Sequence, residues 1–188
     1  MGKTFLTNRP ELKYINTLLG LRCFIDLLKW ELFPNAKEMT ESHGAFMGIE
    51  KLGLDIKNPD MHCIVVGDGN TPRTAGYLAT RTKWKCMSID PLLKQDKIPF
   101  WESNIRNLAC VPKRVEELAP IFVENMVIVS VHSHAYAKHI LQHLLAVNRS
   151  LVSIPCCVKQ HYDGKPDFSY EDLSIWSGKR KVELWKRI

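Results

Sequence analysis

The sequence is poor in the features that mark membrane, secreted and zinc-knuckle proteins. It has no run of about 18 apolar residues of the kind that spans a bilayer, and no signal-peptide pattern at its start. Its six cysteines include no Cys-x-x-Cys pair. Repeats and low-complexity segments are also missing. We therefore expect a cytoplasmic protein from a reducing compartment, with no disulfides and no membrane partner.

The composition is that of an ordinary globular protein. The chain has 188 residues, of which 45% are hydrophobic and 24% charged, and a net charge of +6. We expect one domain over 1–188, with an N-terminal helical segment (1–55) and a core (56–188). The modest positive charge favours an anionic partner such as RNA, although solubility alone would also explain it. Five of the basic residues are candidates for one phosphate-binding face: Lys83, Lys85, Lys179, Arg180 and Lys181.

The order of the predicted elements indicates an α/β protein. Apolar residues at helical spacing predict helices over 11–33 and 37–52. Short apolar runs that alternate with helical patterns then predict a doubly wound, mostly parallel sheet. The sequence Ser177-Gly178-Lys179-Arg180 predicts a closing antiparallel hairpin. The later strands are expected at 104–111, 126–131, 150–154, 170–176 and 181–185.

A glycine turn is the most informative motif. The apolar run that ends at Val66 is followed by Gly67-Asp68-Gly69, and Thr71-Pro72 reads as a helix N-cap and first helical position. A second apolar run closes on Asp90. This order is typical of half of a nucleotide-type cofactor site. A plain strand-turn-helix is the alternative. The third glycine of a dinucleotide fingerprint is replaced by Pro72, and no Gly-Lys-Ser/Thr follows to make a P-loop.

With these residues the chain resembles the class I methyltransferases, which use S-adenosylmethionine (SAM) and have a seven-stranded sheet with a reversed last strand. The resemblance implies that the glycine-rich turn lies under the methionine part of SAM and that Asp90 binds the ribose. Val111 follows the third strand, where the family places its adenine contact. The full set of implied cofactor-binding residues is Gly67, Asp68, Gly69, Asn70, Thr71, Asp90, Pro91, Val111 and His132.

Two further motifs narrow the resemblance. The fourth strand ends in His132-Ser133-His134, and the fifth ends in Pro155-Cys156-Cys157. Both are similar to motifs of a subgroup that includes tRNA ribose methyltransferases, although Ala135 stands where the subgroup usually has glycine. The Asp/Asn-Pro-Pro-aromatic motif of exocyclic-amine methyltransferases is missing, which argues against base amino groups as targets.

The strand ends supply candidates for the chemistry. Ligands of open α/β sheets bind beyond the carboxyl ends of the strands, so these side chains should gather beside the glycine turn. His134 or His132 could act as general base for a hydroxyl acceptor, or both could simply shape the pocket. The expected substrate-binding residues are Cys156, Cys157, Lys159 and Trp101, the last as a stacking residue in a loop.

A metal ion is not expected, although zinc stays an alternative. Histidine and cysteine are plentiful in the second half of the chain, but their spacing matches no zinc knuckle. We expect Cys156 and Cys157 to line a cleft as small, soft residues rather than to act as a nucleophile or a redox pair. The potential zinc ligands are His132, His134, His139, His143, Cys156, Cys157 and His161.

Together these patterns predict a SAM-dependent methyltransferase that acts on an RNA hydroxyl or base nitrogen. A small-molecule or protein methyltransferase of the same fold is the first alternative. A non-catalytic module of this fold that binds RNA or protein is the second. A NAD-dependent oxidoreductase is more distant, because the chain leaves little room for a second substrate domain.

Overall fold

A seven-stranded sheet organises the molecule. The computed structural model describes residues 9–157, 162 and 164–188. The strand order is β3-β2-β1-β4-β5-β7-β6, with every pair from β3 to β5 parallel and β7 antiparallel to both neighbours. This confirms the predicted fold class, a doubly wound and Rossmann-like sheet with one reversed strand. The strands are β1 (Met61–Val66), β2 (Lys85–Ile89), β3 (Leu108–Val111), β4 (Ile121–Val131), β5 (Leu144–Ile154), β6 (Phe168–Glu171) and β7 (Lys181–Trp185).

Both faces of the central strands are buried. In β1, Cys63 and Val65 pack into the core on one face, while Ile64 and Val66 pack into the core on the other. This explains why β1 and the second half of β4 read as continuous apolar runs rather than as alternating patterns. The parallel strands β1 to β5 all end at one edge of the sheet, which we call the carboxyl edge. Because β7 is antiparallel, its first residue, Lys181, also lies there.

Helices cover both cores of the sheet. They are α1 (Pro10–Leu19), α2 (Phe24–Lys29), α3 (Ala36–Leu52), α4 (Arg73–Arg81), α5 (Ile98–Asn104) and α6 (Ala137–His143). The long helix α3 begins where the Asn35 side chain accepts a hydrogen bond from the Glu38 amide at 3.0 Å. It ends at Gly53, whose φ of 74° suits a glycine C-cap. No helix in the described part of the chain is long and apolar enough to cross a bilayer.

Several predicted element bounds were wrong. The helix expected over 11–33 is two helices, because the chain turns at Gly20 between α1 and α2. The strand expected from 104 begins only at Leu108, because α5 ends at Asn104 and a turn over 105–107 follows it. The closing strands are not joined by a tight hairpin: β6 ends at Glu171, and nine residues separate it from β7. Strands β4 and β5 start earlier than their apolar runs and project beyond the rest of the sheet.

Candidate functional site

A cavity of about 480 Å³ opens at the carboxyl edge between the ends of β1, β2, β3 and β4. Its size falls within the roughly 300–1,000 Å³ typical of small-molecule and cofactor sites. Six of the predicted site residues line it: Gly67, Gly69, Asp90, Pro91, His132 and His134. Ser133, expected beside the glycine turn, also lines the cavity, and the wall residues that the sequence did not assign to the site include Arg73, Lys113, Arg114, Val115, Glu116 and Tyr136.

The glycine turn forms the floor of the cavity and needs both of its glycines. Gly67 and Gly69 have φ of 79° and 86°, in the left-handed region that favours glycine. A Cβ on Gly67 would lie 2.6 Å from the Cβ of Ser133 and 2.9 Å from its Cα. The turns after β1 and β4 are therefore in direct contact. A Cβ on Gly69 would meet only the guanidinium of Arg73.

Asp90 fixes the glycine turn through its carboxylate. One oxygen accepts a hydrogen bond from the Gly69 amide at 2.8 Å, and the other accepts from the Leu92 amide at 2.7 Å. The side chain is nearly buried but still lines the cavity. Each carboxylate oxygen has a second lone pair, so the group can accept further hydrogen bonds from a ligand hydroxyl.

Asp68 has a structural position rather than a place on the cavity wall. Its carboxylate accepts from the amides of Thr74 and Ala75 at 2.9 and 3.0 Å and from the Ser88 hydroxyl at 3.0 Å. It thereby caps α4, the role that the sequence analysis had given to Thr71. Burial raises the pKa of Asp68, an effect opposed by nearby Arg73 and by the amides.

Three other predicted cofactor residues do not line the cavity either. Thr71 is buried, and its hydroxyl donates to the Leu32 carbonyl at 2.6 Å. Asn70 is exposed and its carbonyl accepts from the Lys94 amide. Val111 does not line the cavity, but the residues from Lys113 to Glu116, which follow it, do. The rule that ligands bind beyond strand ends would have found them.

An ion pair from the N-terminal helices reaches the glycine turn. Arg73 Nη1 lies 3.3 Å from Glu38 Oε2, and its guanidinium stands over Gly69. Arg73 is the first residue of α4, and Glu38 is in the first turn of α3. The pair puts a positive charge beside the floor of the cavity. No local pattern in the sequence links these two residues, because 35 positions separate them.

His132 is held on both sides of its ring. Nε2 lies 2.8 Å from the Lys179 carbonyl oxygen, which only accepts, so Nε2 carries a proton. Nδ1 lies 3.3 Å from Oε1 of Glu41, a buried carboxylate on α3 that also pairs with Lys37 at 3.1 Å. The backbone of His132 has φ of 50° and donates to Ile154 in β5. His132 therefore braces the carboxyl edge, and both of its ring nitrogens face oxygen atoms of the protein.

His134 is the more available histidine. It is exposed, lines the cavity, and its Nε2 lies 3.1 Å from the Sγ of Cys157. The Sγ of Cys157 lies 3.5 Å from that of Cys156, whose thiol donates to the His132 carbonyl at 3.6 Å. The structure thus brings together the His-x-His and Pro-Cys-Cys motifs, as expected from adjacent strand ends. Of the other histidines, His139 faces Glu116 and His143 faces the Leu118 carbonyl.

Two expectations about substrate contacts are wrong. Trp101 is not in a loop: it lies in α5, is only 1% exposed, and donates its indole N–H to the Trp30 carbonyl at 2.9 Å. It cannot stack on a base. The five basic residues do not form one face, because Lys85 begins β2 at the opposite edge from Lys181. Lys159 and His161 lie outside the described residues.

Comparison with known proteins gives a similarity at the level of the fold. No family model matches the chain, and no curated protein matches it in sequence. Among solved structures, the crystal structure of a mutant of MtNAS, a nicotianamine synthase, matches with a TM-score of 0.50. The match covers 95% of this chain and 70% of that one, at 11% sequence identity. At such low identity the match supports the Rossmann-like fold alone.

Proposed function

We propose that the protein is a SAM-dependent methyltransferase with its active site in the cavity at the carboxyl edge. The observation that carries the proposal is the joint position of the glycine turn, Asp90 and His134 around one cavity of cofactor size. The sequence resemblance to class I methyltransferases points to the same cofactor. The match to the MtNAS structure adds the Rossmann-like fold in which such a site would lie.

The residues of the cavity suit the three parts of SAM. The backbone of Gly67 and Gly69 lines the cavity where the methionine part would lie, and the Arg73 guanidinium offers a partner for its carboxylate. Asp90 keeps lone pairs for the ribose hydroxyls. Val115, in the wall after β3, provides an apolar contact for the adenine. When bound, SAM supplies an electrophilic methyl group on a sulfonium.

His134 is the residue that this proposal places at the reacting end. A hydroxyl acceptor must lose its proton as the methyl group is transferred, and histidine is the commonest general base near neutral pH. The imidazole of His134 is exposed, whereas both ring nitrogens of His132 face protein acceptors. His134 is therefore the proton acceptor in this proposal, and His132 positions the loop that carries it.

RNA is the proposed acceptor. The chain has a net charge of +6, and the exposed side chains of Lys113 and Arg114 stand at the cavity itself. Phosphates that neutralise these two side chains would guide a nucleotide into the cavity. The motif resemblance to tRNA ribose methyltransferases points to the same class of acceptor.

Calorimetry with SAM tests the proposal directly. We expect one SAM per chain, and Asp90→Asn should weaken binding about 5- to 150-fold, the equivalent of roughly 1–3 kcal/mol. An amide cannot accept from both the Gly69 and Leu92 amides, so the turn loses a hydrogen bond. Asp96→Asn, at an exposed carboxylate away from the cavity, is the matched control. Absence of SAM binding to the parent protein would remove the enzyme proposal altogether.

A further inference from the structure

The side chains of His134, Cys156 and Cys157 form a cluster that the methyltransferase proposal leaves without a full explanation. One ligand atom from each residue lies within 4.8 Å of the other two. Cys156 and Cys157 are consecutive, and side chains of consecutive residues usually point apart. Here they occupy a bend directly after β5, and their sulfurs are 3.5 Å apart. The bend brings the Cys157 sulfur to 3.1 Å from Nε2 of His134, while the Cys156 thiol donates to the His132 carbonyl.

The spacing of these atoms matches that of ligands around one metal ion. Zinc takes thiolate sulfur at about 2.3 Å and imidazole nitrogen at about 2.0–2.1 Å in tetrahedral geometry. Those bond lengths place two sulfurs about 3.8 Å apart and a sulfur and a nitrogen about 3.6 Å apart. The observed separations of 3.5 and 3.1 Å differ from these values by a few tenths of an ångström. The third pair, Cys156 Sγ and the His134 imidazole, lies within 4.8 Å, and a rotation of the Cys156 side chain would shorten that distance.

Accessibility separates the thiols of this cluster from those of Cys63 and Cys110. Cys63 and Cys110 are buried; burial raises the pKa of Cys63 and raises that of Cys110 to about 12. Such thiols are poor metal ligands, because the thiolate is the form that binds. Cys156 is half-buried and Cys157 is exposed.

The loops that carry the cluster are fixed from outside it. The His132 amide donates to the Ile154 carbonyl at 2.8 Å, which ties the end of β4 to the end of β5. The contacts of the His132 ring with Glu41 and Lys179 hold the same loop. A metal site needs such support, since ligands that are already positioned lose less entropy on binding.

We propose that His134, Cys156 and Cys157 bind one thiophilic divalent metal ion of the zinc class at the mouth of the cavity. This replaces the expectation from sequence that no metal is bound. The ion would act as a Lewis acid where an acceptor arrives, polarising its O–H bond. The imidazole would then serve as a ligand, and a metal-bound hydroxide, in place of His134, would take the acceptor's proton and become bound water. The metal proposal does not depend on SAM binding.

Cobalt titration of the full-length, chelator-stripped protein tests this site, with Co²⁺ as a spectroscopic probe for Zn²⁺. We expect one Co²⁺ per chain and a thiolate-to-cobalt charge-transfer band in the near ultraviolet. Added Zn²⁺ should displace the cobalt and abolish the band. Cys156→Ser, Cys157→Ser and His134→Ala should each weaken affinity by more than about 100-fold, because even outer-shell partners of metal ligands are worth about 10–100-fold.

Two control variants test whether the cobalt band is specific to the cluster. Cys23→Ser removes another half-buried thiol, and His139→Ala removes another partly exposed histidine; neither should change the cobalt band. No band in the parent protein, or a band that survives in a Cys156→Ser/Cys157→Ser double variant, would overturn the proposal. SAM calorimetry on the same samples separates the two hypotheses. Cobalt binding without SAM binding would reject the methyltransferase proposal and leave the metal site. SAM binding without cobalt binding would reject the metal site and leave the methyltransferase proposal.

Discussion

The contact between Gly67 and Ser133 allows a quantitative test of how the two halves of the site fit together. In Gly67→Ala the new Cβ would lie 2.6 Å from the Ser133 Cβ and 2.9 Å from its Cα, and the backbone cannot easily yield. A non-glycine residue in the left-handed region costs about 1–2 kcal/mol. Overpacking adds about 1–3 kcal/mol. We therefore expect Gly67→Ala to lower the free energy of unfolding by roughly 2–5 kcal/mol.

Gly69→Ala is the matched comparison. Its φ of 86° carries the same backbone cost, but the added methyl would meet only the end of the Arg73 side chain. A long side chain can turn away, so the loss should be about 1–2 kcal/mol. Urea unfolding of both variants, with the slope of the transition checked against that of the parent protein, measures the difference.

A double-mutant cycle with Ser133→Gly tests whether the contact with Ser133 causes the destabilisation in Gly67→Ala. Ser133→Gly removes two of the three nearest atoms to a Cβ on Gly67. The free energy of unfolding of the double variant should therefore be at least about 1 kcal/mol higher than the sum of the single effects predicts. Ser133→Gly also removes the hydrogen bond that Ser133 Oγ accepts from the Ala135 amide. This loss is the same with glycine or alanine at position 67, so it cancels in the cycle. Equal stability of Gly67→Ala and Gly69→Ala, or strict additivity in the cycle, would refute the proposed contact between the two turns.

Three further predictions concern the reacting end, the acceptor and the core. His134→Ala should retain SAM affinity and lose about 10²–10⁴ in methyl-transfer rate, as base or as metal ligand; an unchanged rate in single-turnover assays would remove it from the chemistry. The double variant Lys113→Ala/Arg114→Ala should reduce the slope of the logarithm of RNA affinity against the logarithm of salt concentration by about 0.7 per lost phosphate contact. Lys83→Ala, near the opposite edge of the sheet, should leave this slope unchanged. Identical slopes for all variants would contradict phosphate binding at the cavity. Burial lowers the pKa of His43 from 6.5 to about 4, so between these pH values the unfolded chain binds a proton that the folded protein does not. The free energy of unfolding should be independent of this group above about pH 6.5 and fall by roughly 3 kcal/mol towards pH 4; urea unfolding should lose that slope in His43→Asn, and a persistent slope would place its origin elsewhere.

The sequence alone determined the fold class and the floor of the site. Apolar runs mark strands buried on both faces, as in β1 and β4, because a parallel sheet covered by helices leaves them no exposed face. The residues between Val66 and Gly69 mark a tight turn after a strand, and Asp90 closes the next strand. These are local signals, since strand periodicity and glycine conformation depend on neighbours in the chain. The rule on strand ends then placed His134 and the Cys156–Cys157 pair near the same edge.

Only the tertiary structure decided which polar residues face the cavity and which support it. Asp68 and Thr71 looked equivalent to their neighbours in the sequence, yet each satisfies buried partners behind the wall. The roles of Glu38 and Glu41 depend on α3 packing beside the carboxyl edge, a contact between distant parts of the chain that no local pattern encodes. The same holds for the metal-like spacing of His134, Cys156 and Cys157: sequence put them on adjacent loops, but the ångström-scale convergence of their side chains comes from the bend and from the braced His132 loop.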